Sequence, residues 1–437
     1  MIIFKKFINF IFFKPERLFM FLPPLNYPSE VRYIYILRNF LIYFKIKKWK
    51  KSFLMIIKGI EKLFFDILKI LYFPFSAIIF FTKYRFIQPN YVQIGTVANH
   101  LCMMTKYQLI KNKIPIIFIP KHSNYSFITK IFKKNPKIIF VDSLILNIIC
   151  LPFFYTNFIS CHIRDIDYLY DNKKKKIGKR EWSRVYCKLD FKKNGFFEFN
   201  DEYEKKCNSL IKDKFGFIEM NKTFILHARE SKYIKTSYLR NCNINNYLDG
   251  MNFLISENYN VIRLTNSYDD KLKFHKNYYE LNVDFPENQF LQFFLINNAK
   301  GFISCNSGPA SIGLLFEAPM LQVNCIDIPY AIGEKSLYLP KIVKKKDKLI
   351  KFENLWHAND LIKSEQFANK MGYEVIENSK EELTEAIKEF FYLVNSQNTK
   401  NYQSQKKFKE KIQLISHGHS IANLTNHFFN KYQDLFK

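Results

Sequence analysis

The sequence lacks the features that would place it at once in a simple class. Its eight cysteines form no CxxC pair and no Cys/His spacing suited to zinc, and several lie inside apolar runs. This pattern is typical of reduced thiols in a cytosolic protein. The N-terminus has a basic start and a short apolar run but no small-residue cleavage site, which argues against a cleaved signal peptide. The chain shows no internal repeats.

Long uncharged apolar runs are also missing. Residues 70–82 are apolar but short and contain Pro74, and residues 143–163 are interrupted by Asn, Pro and His, so neither predicts a transmembrane helix. Residues 1–85 instead alternate Phe, Ile and Leu with Lys and Arg. That composition is typical of a helix lying at a membrane interface, and it also fits helices that cover the core of their own domain.

Acidic residues are scarce. The 437 residues include 67 Lys and Arg against 39 Asp and Glu, which gives a formal net charge of +28. Such a chain attracts anions, whether nucleic acid, anionic lipid or a phosphorylated substrate. The length predicts two to three domains and excludes a small binding module.

Two successive α/β regions can be recognised along the chain. In the first, residues 114–120 and 137–141 are continuous apolar strands separated by a helical stretch. In the second, strands are predicted at 223–227, 260–265, 278–283, 301–305 and 320–324, with helices between them. Because open α/β sheets bind ligands at the carboxyl edges of their strands, we expect the chemistry in a cleft between two such sheets.

The most informative stretch is GFISCNSGPASIGLLFEAP, residues 301–319, which predicts a buried strand, a polar turn and a helix. Ser307 is suited to capping that helix and Pro309 to its first turn. Unpaired N–H groups and the helix dipole attract anions there, so a diphosphate is expected on Ser307 and Gly308. The alternative is an ordinary strand-to-helix turn in which Ser307 only caps the helix.

A second candidate group follows the strand TFIL. His227 and Arg229 lie two residues apart where this strand ends, and a guanidinium there binds a diphosphate and neutralises a departing nucleotide. The alternative is an arginine that pairs with a local glutamate. Arg240 and Arg263 extend the basic set, although Arg263 fits equally well as the structural partner of a buried carboxylate.

Candidates outside these two segments are Gly95, His100 and Glu317. A turn at Gly95-Thr96 that opens a helix lets the backbone approach a ligand, and His100 is a candidate general base, although a single histidine on a helix is commonly structural. Glu317 is a candidate to accept hydrogen bonds from ribose hydroxyls, or else faces solvent.

A metal-binding DxD motif is the weakest candidate. Asp165 and Asp167 are suited to holding a divalent ion, but they lie in irregular sequence and the pattern arises easily by chance.

Four segments together carry a family resemblance: QIGTVANHL, HARESKY with the sequence up to Ser267, residues 301–324, and HGHSIANLTNHFF. They resemble an uncharacterised bacterial family of GT-B-type glycosyltransferases associated with surface polysaccharide or lipopolysaccharide loci. The resemblance covers about residues 90–435 and is most specific in the second α/β region. It implies an α/β fold with two Rossmann-like domains facing across a cleft, a nucleotide-sugar donor held by the C-terminal one, and no metal or other cofactor.

The positions that match the family pattern are Gly95, His227, Arg229, Arg240, Tyr247, Arg263, Ser307, Gly308 and Pro319. The chain departs from it at Thr96 and Asn99, which weakens a catalytic assignment in the first domain. With the resemblance, four segments are predicted: a helical basic-aromatic region at 1–85 that is a candidate for membrane association, an acceptor domain at 86–215, a donor domain at 216–340 and a closing helical segment at 341–437.

The function that follows is transfer of a sugar from a nucleotide-sugar to a glycan or lipid-linked acceptor at the cytoplasmic membrane face, with an anionic membrane surface as a further partner and no nucleic acid. The catalytic candidates are His100, His227 and Arg229. The donor-binding candidates are Gly95, Arg229, Arg240, Arg263, Ser307, Gly308 and Glu317. Two alternatives are a nucleotide-sugar epimerase of the same shape and a basic protein that binds nucleic acid or anionic membrane.

Overall fold

The computed structural model describes residues 29–45, 49–89, 94–119, 123–150, 153, 195–230, 238–273, 276–326, 335–352, 368, 372–396, 402–408 and 422–436. The DxD motif at Asp165 and Asp167, the residues at 231–237 and the HGHS sequence near the C-terminus lie outside the described residues.

The elements are numbered in chain order. The helices are α1 (Ser29–Lys45), α2 (Trp49–Phe81), α3 (Ile94–Ile110), α4 (Ile128–Ile131), α5 (Leu144–Ile149), α6 (Asp201–Phe215), α7 (Leu248–Ser256), α8 (Pro286–Asn298), α9 (Gly308–Leu315), α10 (Lys380–Asn395) and α11 (Asn426–Lys431). The strands are β1 (Tyr84–Ile87), β2 (Ile114–Phe118), β3 (Ile139–Val141), β4 (Thr223–His227), β5 (Asn260–Thr265), β6 (Tyr278–Asn282), β7 (Gly301–Ser304), β8 (Met320–Cys325), β9 (Leu337–Pro340), β10 (Ile342–Lys345), β11 (Lys348–Leu349), β12 (Tyr373–Ile376) and β13 (Asn423–Leu424).

These elements belong to two compact units. The first contains the described residues of Met1–Val92, Tyr107–Thr129 and Lys134–Tyr170, and the second those of Gln93–Lys106, Lys130–Lys133 and Asp171–Lys437. Helix α3 is therefore divided, with its residues up to Lys106 belonging to the second unit.

The first unit combines a helical hairpin with a small parallel sheet. Strands β1, β2 and β3 pair in that order, and both pairs are parallel. Phe86, Phe118 and Phe153 form the apolar core, against which Tyr72 and Ile79 of α2 pack. The C-terminal end of α2 is capped by the Arg85 guanidinium, which donates to the carbonyl oxygens of Phe80 and Thr82, each at 3.0 Å. Within the described ranges, no helix reaches the combined length and hydropathy of a membrane span.

The second unit is built on a parallel sheet. In the part of the chain that the structure describes, its seven strands lie in the order β13-β9-β8-β7-β4-β5-β6, and every neighbouring pair is parallel. Strands β4, β7 and β8 are buried along their whole length, as expected for continuous apolar runs in a sheet covered on both faces. The chain moves outward from β4 to β6 and then returns to β7. The strand order thus reverses between β4 and β7.

Helices cover this sheet through close contacts. Asn200 caps α6, since its side-chain oxygen accepts from the Tyr203 N–H at 2.8 Å, and the Tyr203 hydroxyl then donates to the Phe290 carbonyl oxygen of α8 at 2.6 Å. Helix α10 begins with a complete capping box formed by Ser379 and Glu382. Strands β10, β11 and β12 form a separate small antiparallel sheet.

The structure confirms a mixed α/β fold with parallel sheets, and the predicted strands of the second region all exist within a residue or two. The turn predicted at Gly95-Thr96 is wrong, because both residues lie in the first turn of α3. The segment predicted as helical at residues 341–437 also contains the short strands β10, β11, β12 and β13. The four predicted domain boundaries, and the GT-B arrangement of two facing domains, stay predictions.

Candidate functional site

The candidate site lies where the strand order reverses in the large sheet. Strands β4 and β7 are direct neighbours, with His227 opposite Ser304 at their carboxyl ends. Ligands of doubly wound sheets bind outside the carboxyl ends of the strands at this position. Arg229 follows β4 by two residues and Ser307 follows β7 by three. The topology therefore brings the two principal candidates of the sequence analysis to one edge.

Ser307 is the N-cap residue of α9, and Pro309 lies in the first turn of that helix. The backbone of Ser307 is extended, with φ −145° and ψ 178°, as an N-cap requires. Its side chain, however, does not cap the helix. Among the described residues, the buried Ser307 Oγ and the buried Asn306 Nδ2 form no hydrogen bond of ordinary geometry. The alternative of a simple capping serine is therefore not what the structure shows.

Backbone hydrogen bonds fix the loops around Arg229. The Cys305 N–H donates to the His227 carbonyl at 3.1 Å, and the Cys242 N–H donates to the Arg229 carbonyl at 2.8 Å. Asn241 precedes Cys242, and both its side-chain polar atoms are buried without a hydrogen bond in the described part of the chain. The Arg229 side chain is 6% exposed. The edge thus concentrates buried polar groups around a guanidinium.

Lys341 is a site residue that the sequence analysis missed. It follows β9 directly, its N–H donates to the Cys325 carbonyl at 2.8 Å, and its Nζ donates to the Asn241 carbonyl at 2.8 Å. The side chain is 5% exposed, and among the described residues no carboxylate forms an ion pair with it. A buried ammonium is costly unless an anion compensates it. In the sequence, the signal that could have identified Lys341 is its position directly after the apolar run LYLP.

The two thiols at this edge, Cys305 and Cys242, have pKa values shifted in opposite directions. Burial alone raises the pKa of the Cys305 thiol, but the dipoles of the Cys242 thiol, the Ser307 hydroxyl and the Arg229 backbone, followed by the Arg229 charge, outweigh burial and lower it below its ordinary value. Burial raises the pKa of the Cys242 thiol. The Arg229 charge is the contribution that would also favour a bound phosphate.

His227 is held as a neutral imidazole. Burial, followed by the charges of Arg263 and Arg229, lowers its pKa to about 4, against a hydrogen bond to Leu264 that acts the other way. Its Nδ1 lies 3.3 Å from the Leu264 carbonyl oxygen, which only accepts, so Nδ1 carries the proton. A base with this pKa is weak near neutral pH.

Tyr247 belongs to a polar network that supports the edge. The Asn324 side chain donates to the Tyr247 hydroxyl at 3.1 Å, and Asn324 and Asn378 exchange hydrogen bonds of 2.7 and 2.9 Å. The Asn378 side chain also donates to the Pro340 carbonyl at 2.9 Å, one residue before Lys341. Arg240 is half-buried at the end of a short 3-10 helix, Tyr238–Arg240. The network holds the loop before α7 against the ends of β8 and β9.

Arg263 takes the structural role that the sequence analysis gave as its alternative. Its guanidinium, fully buried on β5, forms an ion pair with Glu230 and a second one with Glu280 at 3.2 Å. It also donates to the Asp270 carbonyl at 2.7 Å. Two carboxylates thus compensate the charge of Arg263, and its role in binding the donor stays a prediction.

Gly95 and Gly308 contact each other through their backbones. A Cβ added at Gly95 would lie 2.4 Å from the Gly308 Cα, and one added at Gly308 would lie 3.3 Å from the Gly95 N. The absence of a side chain at Gly95 thus allows the starts of α3 and α9 to contact each other, and its approach to a ligand stays a prediction. As a result, two helix N-termini meet beside Ser307, and both attract anions.

The remaining candidates also lie on or against α3. The fully buried Lys106 forms an ion pair with Glu317. Glu317 therefore does not face solvent, and its carboxylate already has a partner within the protein. His100 is half-buried on α3, beside Asn99 and one turn after Gly95. Its role as a base stays a prediction.

Pro319 lies just before β8, and its carbonyl accepts from the Phe302 N–H at 2.9 Å. Within the described ranges, no three His, Cys, Asp or Glu side chains come together as a metal site requires.

No family model and no curated protein matches this chain. Among solved structures, it is similar to a family 9 glycosyl transferase from Veillonella parvula, with 12% identity and a TM-score of 0.36 over 55% of this chain and 80% of that one. It is also similar to Escherichia coli ADP-heptose LPS heptosyltransferase II, with 10% identity and a TM-score of 0.36 over 55% and 84%. A third is the iron-containing dodecameric glycosyltransferase TibC from enterotoxigenic E. coli, with 10% identity and a TM-score of 0.35 over 81% and 77%. Similarities this low assign no activity to this chain.

Proposed function

We propose that this chain is a glycosyltransferase that moves a sugar from a nucleotide-sugar donor to a glycan or lipid-linked acceptor in bacterial surface polysaccharide synthesis, working at the cytoplasmic face of the membrane. One observation carries the proposal. At the strand-order reversal of a parallel sheet, two buried cations, Arg229 and Lys341, accompany a buried hydroxyl at the N-cap residue Ser307 that does not cap its helix and forms no hydrogen bond of ordinary geometry in the described part. This is the chemistry that holds a diphosphate.

The proposed step breaks the bond between the anomeric carbon and the diphosphate oxygen of the donor, while an acceptor hydroxyl forms a new bond to that carbon. The nucleoside diphosphate leaves with the bonding electrons and gains negative charge. Arg229, Lys341 and the N–H groups at Gly308 stabilise that charge where it develops. Because backbone hydrogen bonds hold the chain at Arg229 and Lys341, the loops that carry these side chains need little reorganisation during the step.

The proton of the acceptor hydroxyl needs a separate base. His227 is unsuited because burial lowers its pKa to about 4, which makes it a weak base near neutral pH. We keep His100 as the candidate base. Arg229 and Lys341 neutralise the leaving group in this step, so activity should persist after chelation of divalent ions.

Binding of the donor is the first test. A thermal-shift screen against UDP-, GDP-, CMP-, dTDP- and ADP-sugars should stabilise the protein with at least one of them. Lys341→Met should then weaken that binding by about 1.5–3 kcal/mol, the value of a hydrogen bond to a charged group. The matched control is Lys348→Met, which removes an exposed lysine and should leave the affinity unchanged.

Turnover is the second test. Arg229→Gln should abolish release of the nucleoside diphosphate while the circular dichroism spectrum is preserved, and Arg229→Lys should restore part of it. Unchanged turnover in Arg229→Gln would remove the guanidinium from the mechanism.

Two results would favour the alternatives. Conversion of the donor sugar without any acceptor would indicate an epimerase. Salt-dependent binding to an oligonucleotide, with no shift from any nucleotide-sugar, would indicate a basic binding protein.

A further inference from the structure

Helix α2 of the first unit carries a long apolar stripe that no described residue covers. The stripe consists of side chains spaced three or four residues apart along one helix face: Phe53, Ile56, Ile60, Leu63, Ile67 and Ile70. Ile60 is 64% and Ile70 is 74% exposed, and the pattern continues to Ile78 at 66%. Globular proteins rarely leave a contiguous apolar surface of this size unless it binds a partner.

The other faces of α2 are occupied within the unit. Ser52 and Met55 are buried, and Gly59 lies against Ile36 of α1, where a Cβ at Gly59 would be 3.8 Å from the Ile36 side chain. Farther along the helix, Tyr72 packs on Phe153 with ring centroids 5.1 Å apart. Helix α2 is thus anchored on two sides by its own unit. The stripe is a third face, and packing of the described core does not explain it.

Basic and aromatic residues gather where the stripe begins. Residues 45–51, KIKKWKK, contain five lysines around one tryptophan. Lys45, Lys50 and Lys51 are exposed, and Trp49, 59% exposed, packs edge-on against Phe44 at 4.9 Å. Tryptophan prefers the boundary between hydrocarbon and headgroups, and clustered lysines there bind anionic lipid.

The positive charge around the stripe favours a bilayer over a second protein as its binding partner. Residues 29–81 contain ten Lys and Arg against three Asp and Glu. The cores of protein interfaces are depleted of lysine, and a second copy of this surface would be repelled by the same positive charge. An anionic bilayer supplies both the hydrocarbon for the stripe and the negative headgroups for the lysines.

We infer that the stripe on α2, together with the exposed Lys45, Trp49, Lys50 and Lys51 near its start, docks this protein on the surface of an anionic phospholipid bilayer. The inference does not depend on sugar transfer, because it involves other residues and a lipid ligand. In this arrangement α2, about 50 Å long, lies along the membrane with its stripe in the acyl boundary.

The test is flotation of the full chain with vesicles through a density gradient, in which aggregated protein stays at the bottom. The protein should float with mixed phosphatidylglycerol and phosphatidylcholine vesicles, float far less with phosphatidylcholine alone, and lose binding as salt is raised. Lys50→Glu/Lys51→Glu should weaken binding at least about 30-fold, since each lysine near the surface contributes roughly fivefold.

Two control variants match these changes. Lys348→Glu/Lys351→Glu alters the net charge equally at exposed positions of the second unit, and should float like the wild type. The apolar stripe is tested by Ile60→Glu/Ile70→Glu, which should abolish flotation. Its control is Phe217→Glu, at a side chain 95% exposed in the second unit, which should float like the wild type. All four variants replace exposed side chains, so their circular dichroism spectra should match the wild type.

Three results would overturn the inference. The first is absence of flotation with anionic vesicles. The second is equal loss of binding in the Lys348→Glu/Lys351→Glu control, which would indicate a nonspecific effect of net charge. The third is a dimer, by light scattering, that Ile60→Glu/Ile70→Glu converts to a monomer without any vesicle binding, which would identify a second copy as the partner.

Discussion

Two regions of this protein leave groups unsatisfied, and they do so in opposite ways. The hairpin of α1 and α2 exposes apolar side chains such as Ile60 and Ile70. The carboxyl edge of the large sheet buries polar groups such as Ser307 Oγ and Lys341, which lack a full set of partners among the described residues. Folding alone favours neither arrangement, since apolar surface prefers burial and a buried charge prefers an anion.

The contrast indicates what kind of ligand each region would take. An uncovered apolar face with lysines at one end is complementary to a lipid surface, and a buried cationic edge is complementary to a phosphorylated small molecule. Elsewhere in the second unit, charges such as Arg263 are compensated by carboxylates of the same chain. Satisfied and unsatisfied groups should therefore differ in what their removal costs in stability, and mutation can measure that difference.

The largest effect is expected where a buried charge is already satisfied. Arg263→Gln should lower the free energy of unfolding by about 3–5 kcal/mol, because it leaves the Glu230 and Glu280 carboxylates without their shared cation. The control is Lys222→Gln, which breaks an exposed pair with Glu219 and should cost less than about 1 kcal/mol. Urea unfolding of both variants provides the measurement. A small loss of unfolding free energy in Arg263→Gln would instead indicate that Arg263 resembles the proposed ligand-binding cations Arg229 and Lys341.

The same aliphatic truncation should have opposite consequences in the two regions. Ile303→Ala, in the fully buried β7, should lower the free energy of unfolding by about 2–5 kcal/mol through lost burial and a cavity. Ile70→Ala, on the stripe of α2, should change it by no more than about 0.5 kcal/mol. Equal costs in urea unfolding would show that the stripe is covered in solution, and the contrast would fail.

His227 tests the electrostatics of the sheet edge. Its pKa falls from an ordinary value of 6.5 to about 4 on folding. At a pH between these two values, the imidazole is protonated in the unfolded chain but neutral in the native protein. Stability should therefore decline as the pH drops below about 6.5. Near pH 5 the loss from this residue should be about 2 kcal/mol relative to pH 7.5. His227→Asn should remove that part of the pH dependence in parallel unfolding titrations, and an unchanged dependence would contradict the lowered pKa.

The smallest expected effect is the difference in stability between alanine substitutions at two N-cap serines. Ser379 accepts from the Glu382 N–H at 3.1 Å within a complete capping box, so Ser379→Ala should cost about 1 kcal/mol. Ser307 makes no capping hydrogen bond, so Ser307→Ala should cost less than about 0.5 kcal/mol in the absence of ligand. Thermal unfolding compares the two. A cost at Ser307 equal to that at Ser379 would indicate an ordinary cap.

Much of the second unit could be predicted from the sequence, because strands buried in a parallel sheet are continuous apolar runs. TFILH, NVIRLT and MLQVN were recognised in this way, as was a helix beginning at Ser307-Gly308-Pro309. Strand β1 was missed, since Tyr84–Ile87 is only four residues long and contains an arginine. Its pairing with β2, thirty residues later, is what makes it a strand.

The candidate site could be predicted only in part. Arg229 and Ser307 were found because each follows a recognisable strand, and a sheet collects such positions at one edge. Lys341 escaped because a lysine at the start of a lysine-rich sequence looks like solvent-exposed chain, and its burial depends on strand order. The sequence does not decide between the two roles of Arg263, since its partners Glu230 and Glu280 come from the loop after β4 and from β6.

The sequence by itself determined the local elements, the cationic character and the chemistry available at each loop, because these follow from short-range patterns of side chains. Only the tertiary structure decided which cations pair with carboxylates in the described part of the chain, that Gly95 meets Gly308, and which apolar residues of α2 are exposed there. Those outcomes depend on contacts between residues far apart in the chain, where strand order and helix packing set which atoms become neighbours.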